Sequence, residues 1–192
     1  MPKLKEFNKQ TDINEWSNVA ALVIDRLDSY ENKFDKLIEL NEKAQKQREE
    51  TNQKLIRLIT DSEDTLMDSI LQYAIKHDYA QYTSTLAEAW RMSISGLSLA
   101  FIDAIKKTGE IPPVDPHITY KKNDVTAFAI HEAKMHRDRG IPSVMFIGLM
   151  KYYRQAYLDL IAKSGWSKEE KTAADENINR FFDHTELALI RI

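Results

Sequence analysis

The chain of 192 residues contains no cysteine, which excludes disulfides and thiolate metal sites and is compatible with a cytoplasmic protein. Glycine and proline are scarce, five of each, and three of the prolines fall within 111–116. Most of the chain therefore lacks the turn punctuation that an all-β fold needs. No segment approaches the roughly 20 consecutive apolar residues of a membrane span, and the N-terminus MPKLKEFNKQTDINEW has no signal-peptide core. None of the phosphate-cradling or nucleophile-elbow patterns occurs, and glycines at 96, 109, 140, 148 and 165 are too scattered to form such a loop. Net charge is −3, with basic residues spread along the chain instead of clustered for nucleic acid. No nucleic-acid or membrane partner is expected.

What is present is helical periodicity. From Trp16 the positions Ala20, Val23, Leu27, Tyr30, Phe34, Leu37, Asn41, Ala44, Arg48, Thr51, Leu55 and Leu58 follow alternating steps of three and four, the spacing of a coiled-coil seam. Its polar centre leaves two options: one long helix, or two helices broken between 39 and 53. Either can pair with a second copy of the chain or pack on the chain's own core. Residues 1–60 are read as a helical extension, a candidate coiled coil, and 61–192 as a separate helical domain.

Within 61–192, Thr60-Asp61-Ser62 and Thr85 with Glu88 mark helix starts, the second at capping-box spacing. A helix over 85–107 should stop at Gly109, followed by the one long loop, 110–123. Asn123 or Asp124 can cap the next helix. Gly140, in the left-handed conformation, and Pro142, in a first helical turn, predict a sharp corner. The helix beyond it carries Met145, Phe146, Leu149, Tyr153, Ala156 and Leu160 on one face, with Arg154 and Tyr157 on the flank, and is expected to end at Gly165. Ser167 and Glu170 predict a second capping box for a last helix with Ile178, Phe181, Phe182, Leu187 and Ile190 on its apolar face. That pattern still runs at the last residue, an expectation of a helix continuing into a further domain.

Chemistry-bearing patterns are few. His131 and His136 stand five apart, about 140° around a helix, and cannot share a metal as an i, i+4 pair does. Asp183-His184 with Glu186 lacks the Arg, Thr and Pro that follow a phosphoacceptor histidine, and no carboxylate pair has a general acid–base setting. No catalytic or metal-binding residue is assigned. The corner at Gly140 is no DNA reader, since its second helix begins Ser143-Val144-Met145-Phe146-Ile147, with apolar groups where base contacts would be needed. Arg154, among the aromatics of KYYRQAYLDL, pairs with Asp159 or another helix's acid, stacks, or binds an anion. Trp90, beside Arg91, is either core or pocket wall.

The segments LAEAWRMSISGLSLAFIDAI, HEAKMHRDRGIPSVMFIGLMKYYRQAYLDLI and NRFFDHTELALI resemble the N-terminal input domains of bacterial PAS-containing sensor histidine kinases. More distantly, they are similar to the haem-free, globin-like N-terminal domains of stressosome proteins related to the RsbT co-antagonists. The resemblance covers 62–192, and its most specific stretch is 137–160. It implies an all-α, six- or seven-helix globin-like or related bundle without a cofactor. It further implies a homodimer upstream of PAS and kinase domains that passes a small-molecule or protein stimulus through its last helix, with no enzyme activity of its own. Trp90, Arg154 and Tyr157 are the residues expected to border a ligand pocket. Two alternatives stand beside this: a haem-based gas sensor, with His131 or His136 as axial ligand, and a purely structural dimerisation module.

Overall fold

Helix α1, Lys9–Asp61, is a single helix, so the polar stretch of the seam does not break it. The structure is a computed structural model describing residues 9–82, 87–115, 117 and 124–190. Five further helices follow: α2 Glu63–Lys76, α3 Ala87–Thr108, α4 Asp124–Asp138, α5 Ser143–Lys163 and α6 Lys168–Ile190. A 3-10 turn at Ala80–Tyr82 precedes α3, and among the described residues there is no strand. The fold is thus all-α. No helix of the described residues is long and apolar enough to cross a membrane. The chain divides into two units, Met1–Gln47 and Arg48–Ile192, so the last turns of α1 belong with the globular unit.

In the first unit the apolar side chains of α1 from Trp16 onward lie open to solvent, with Trp16 73 %, Phe34 65 % and Leu37 61 % exposed. In the second, Leu55 and Ile59 of the same helix are buried in a core that includes Ile70, Ile94, Phe101, Phe146, Tyr157, Ile161, Ile178, Phe181 and Phe182. Phe101 meets Phe181 edge-on at 5.3 Å, and Tyr157 meets Phe182 at 5.7 Å. Tyr157 is therefore a core residue rather than a flank residue. Its hydroxyl is satisfied by Ser98 at 2.7 Å, and burial pushes its pKa up, with the Ser98 hydrogen bond opposing.

The corner after α4 is built by hydrogen bonds. Gly140 has φ +79°, its N–H donates to the Arg137 carbonyl at 2.8 Å, and the Ile141 N–H donates to the His136 carbonyl at 3.0 Å. These two bonds make a Schellman motif, which needs a residue without a Cβ penalty at the left-handed position. Pro142 is the N-cap of α5, one position before the first turn, and its carbonyl accepts from Met145 N–H at 2.9 Å. A different kind of glycine requirement holds α3 to α4: a Cβ on Gly96 would sit 2.2 Å from the Phe128 ring.

Other expected boundaries are met differently. Ser62 does precede α2, but its side chain makes no capping bond. Gly109 ends α3 with φ +76°, whereas α5 ends through extended Ser164 and not through a left-handed Gly165. Ser167 and Glu170 close the expected box, Ser167 N–H to Glu170 at 2.9 Å and Glu170 N–H to Ser167 Oγ at 3.2 Å. The Thr85 and Asn123 caps lie outside the described residues. On α6 the buried stripe turns onto Thr185, Ala188 and Leu189, leaving Leu187 and Ile190 exposed.

Candidate functional site

A cleft of about 880 Å³ opens where α3, α4 and α5 converge, close to the 3-10 turn. α3 contributes Ala89, Trp90 and Ser93, and α5 contributes Phe146, Leu149, Met150 and Tyr153, spaced to share one face. α4 and its Schellman turn supply Glu132, His136 and Arg139, at steps of four and three, with Ile141 beyond them. The volume falls in the range of small-molecule sites, and the lining has their usual character, mostly apolar and aromatic with a few polar groups.

Trp90 stacks on Tyr153 with centroids 6.3 Å apart and planes 14° from parallel, so both rings are held against the core. Burial pushes the Tyr153 hydroxyl well above the usual tyrosine range; a Ser93 hydrogen bond opposes this, and the Glu132 charge adds to it. On the facing wall the His136 ring lies 4.5 Å from that of Phe146. Its Nδ1 is 2.8 Å from the Glu132 carbonyl oxygen; a carbonyl only accepts, so Nδ1 carries the proton. The Glu132 carboxylate is 4.0 Å from Nδ1, too far for a hydrogen bond, and no Lys or Arg of the described residues pairs with it.

The residues expected to border a pocket separate. Trp90 lines the cleft; Arg154 and Tyr157 do not. Arg154 instead donates to Asp183 and Glu186 of α6, both at 2.8 Å, and lies over Phe182 at 5.7 Å. Lys151 adds a second cation to Glu186. Arg154 is thus an α5–α6 fastener, paired with acids on another helix rather than with Asp159, which accepts from Tyr73 and Gln155. His131 is exposed and off the cleft, while His136 lines it.

His184 is fully buried and its Nε2 donates to the Pro112 carbonyl at 2.9 Å, a placement that gives a phosphoryl donor no access. With Asn177, which accepts from Ile111 N–H at 2.8 Å, and Arg180, which donates to the Ile111 carbonyl at 3.0 Å, it ties the start of the long loop to α6. Among the described residues no three His, Asp or Glu side chains are grouped to hold a metal.

Sequence reading missed Glu132, His136, Phe146 and Tyr153 as partners in one cleft. The 132, 136, 139 spacing was legible as a single helix face; that this face looks onto Trp90 is a tertiary fact. No family model, curated protein or solved structure matches this chain.

Proposed function

We propose that this chain is a helical input module that pairs with a second copy through α1 and takes up a small molecule in the α3–α4–α5 cleft, as a cytoplasmic sensory domain upstream of PAS and kinase domains does. The observation that carries the reading is the exposed seam. Trp16, Val23, Leu27, Tyr30, Phe34 and Leu37, all at positions of the alternating three- and four-residue seam, are each half exposed or more. Burying an apolar side chain of this size contributes about 1.5–3 kcal/mol, so covering all six matches an association cost of roughly 4–15 kcal/mol. With Leu27 and Phe34 at a positions, Asn41 is also an a residue, the kind of polar insertion that fixes register in two-stranded coils. The same register puts Arg26 at g and Glu31 at the following e, opposite charges that face each other across a parallel pair.

Two features support a relay. His136 and Phe146 line both the cleft and a small gap that reaches Leu189 of α6. The Arg154 fastener holds the same two helices, α5 and α6, farther along. A ligand that binds one packing of α4 and α5 better than another would shift α6 by that difference in affinity.

The chain has no cysteine, so single-cysteine crosslinking is clean. Leu27→Cys should form a disulfide-linked dimer under mild oxidation, whereas Asp25→Cys, on the outer face of a parallel pair, should not. Equal yields from both, or none from Leu27→Cys, would remove the parallel dimer.

A second reading rests on His136 alone. Because Nδ1 is committed to a backbone carbonyl, Nε2 is the nitrogen left to hold a haem iron; His131, the other candidate, is exposed and does not line this cleft. Stoichiometric haem uptake with a Soret band lost in His136→Ala would favour it; nonspecific uptake would end it.

A further inference from the structure

We propose that the cleft selects an organic cation: an aromatic or comparably apolar molecule carrying a protonated amine, with its ring against Trp90, Phe146 and Met150 and its ammonium on Glu132. The inference deepens the input-module reading and rests on its claim that the cleft takes a ligand.

Two observations lead to it. The Glu132 side chain is only 23 % exposed, yet its carboxylate has no lysine or arginine partner among the described residues, and His136 at 4.0 Å is beyond hydrogen-bonding range. A bound ammonium would give this part-buried carboxylate a closer charged partner than the His136 ring at 4.0 Å. The cleft is also lined by aromatic rings, Trp90 fixed in its stack on Tyr153 among them, and such faces attract cations through the ring quadrupole.

Arg139 is the competing feature, since a guanidinium at the same mouth invites an anion. It is exposed, on the turn residue before Gly140, where water weakens its field. Glu132 is the more enclosed charge, and the more enclosed charge decides the sign of the ligand.

Three probes sharing one ring separate the outcomes: phenethylamine, 2-phenylethanol and 3-phenylpropionate, which are cationic, neutral and anionic at neutral pH. Binding is read on the full chain as shifts of the Trp90 indole resonance in 15N-labelled protein. Phenethylamine should bind at least about tenfold more tightly than 3-phenylpropionate, as a partly desolvated charge pair requires. Glu132→Gln should cut that preference to about twofold or less, and Arg139→Gln should leave it in place. A preference for 3-phenylpropionate, equal binding of all three probes, or no shift of Trp90 by any of them would each overturn the proposal. Sedimentation of the same samples reports the α1 dimer separately. A dimer whose cleft ignores every probe sinks the cation site alone, and a monomer that binds phenethylamine sinks the dimer alone.

Discussion

Helix α1 carries one periodicity and two fates. Over residues 16–40 its apolar side chains face water, while over 51–59 Thr51, Asn52, Leu55 and Ile59 are buried. The pattern that says "helix with one apolar face" is the same in both stretches, yet among the described residues the second packs into the core of its unit while the first is exposed. Tertiary partners account for that difference. Asn52 donates to the Gly109 carbonyl at 2.6 Å and Lys54 reaches Glu170 of α6 at 2.5 Å, so polar and apolar groups alike dock the lower stretch. The apolar side chains of 16–40 stay exposed, and the proposed second copy would cover them.

Substitutions at matched seam positions break the comparison most sharply. Leu55→Ala should destabilise the globular unit by about 2–5 kcal/mol, the range for emptying a buried leucine site, read by urea unfolding. Leu27→Ala should leave that unfolding free energy within about 0.5 kcal/mol and weaken self-association instead. If both variants lowered the stability of the globular unit alike, the two stretches would not differ as described.

Arg154→Ala should cost about 2 kcal/mol, below the 3–5 kcal/mol of a fully buried pair because Arg154 and its partners keep partial contact with water. Arg154→Lys should recover only part of this: an ammonium can donate to both acids as the single Nη2 does, but it lacks the planar group that lies over Phe182. Smaller still, Ser167→Ala should remove about 1 kcal/mol by opening the capping box of α6.

Alkaline pH sharpens the picture from the tyrosines. Tyr153 and Tyr157 are raised above their ordinary value of 10.0, chiefly by burial, and the unfolded chain ionises first. Their contribution is complete below pH 10.0 and is lost as pH climbs toward the folded-state values, and Tyr157→Phe should flatten that loss. Glu170 has the opposite sign. Lys54, then the Ser167 backbone, hold its carboxyl below the usual 4.5, so its contribution is present above pH 4.5 and fades as acid protonates the folded form. Lys54→Met should remove most of that acid dependence, measured as the stability change between neutral and acidic pH.

Much of the architecture was legible because helical boundaries are local. The Schellman glycine at 140, the Ser167–Glu170 box and the stop at Gly109 each follow from a few neighbouring residues. Arg154 and Tyr157 could be placed on a helix but not assigned to partners: whether a flank residue meets solvent, a cleft or an acid depends on which helix packs there. The α6 stripe was misread near its end for a related reason. Periodicity marks Leu187 and Ile190 as apolar, but the helix surface covered by its neighbours runs along Thr185, Ala188 and Leu189. The cleft was the least legible feature, since its walls come from three helices brought together by close contacts such as Gly96 with Phe128.

The most direct measurement is sedimentation equilibrium of the full chain beside the double variant Leu27→Asp, Phe34→Asp, with the unfolding free energy of each globular unit measured in parallel. The account predicts a dimer at micromolar concentration for the unaltered chain, and a monomer for the double variant with an equally stable globular unit. A monomeric unaltered chain at tens of micromolar, or a double variant that still dimerises, would contradict it.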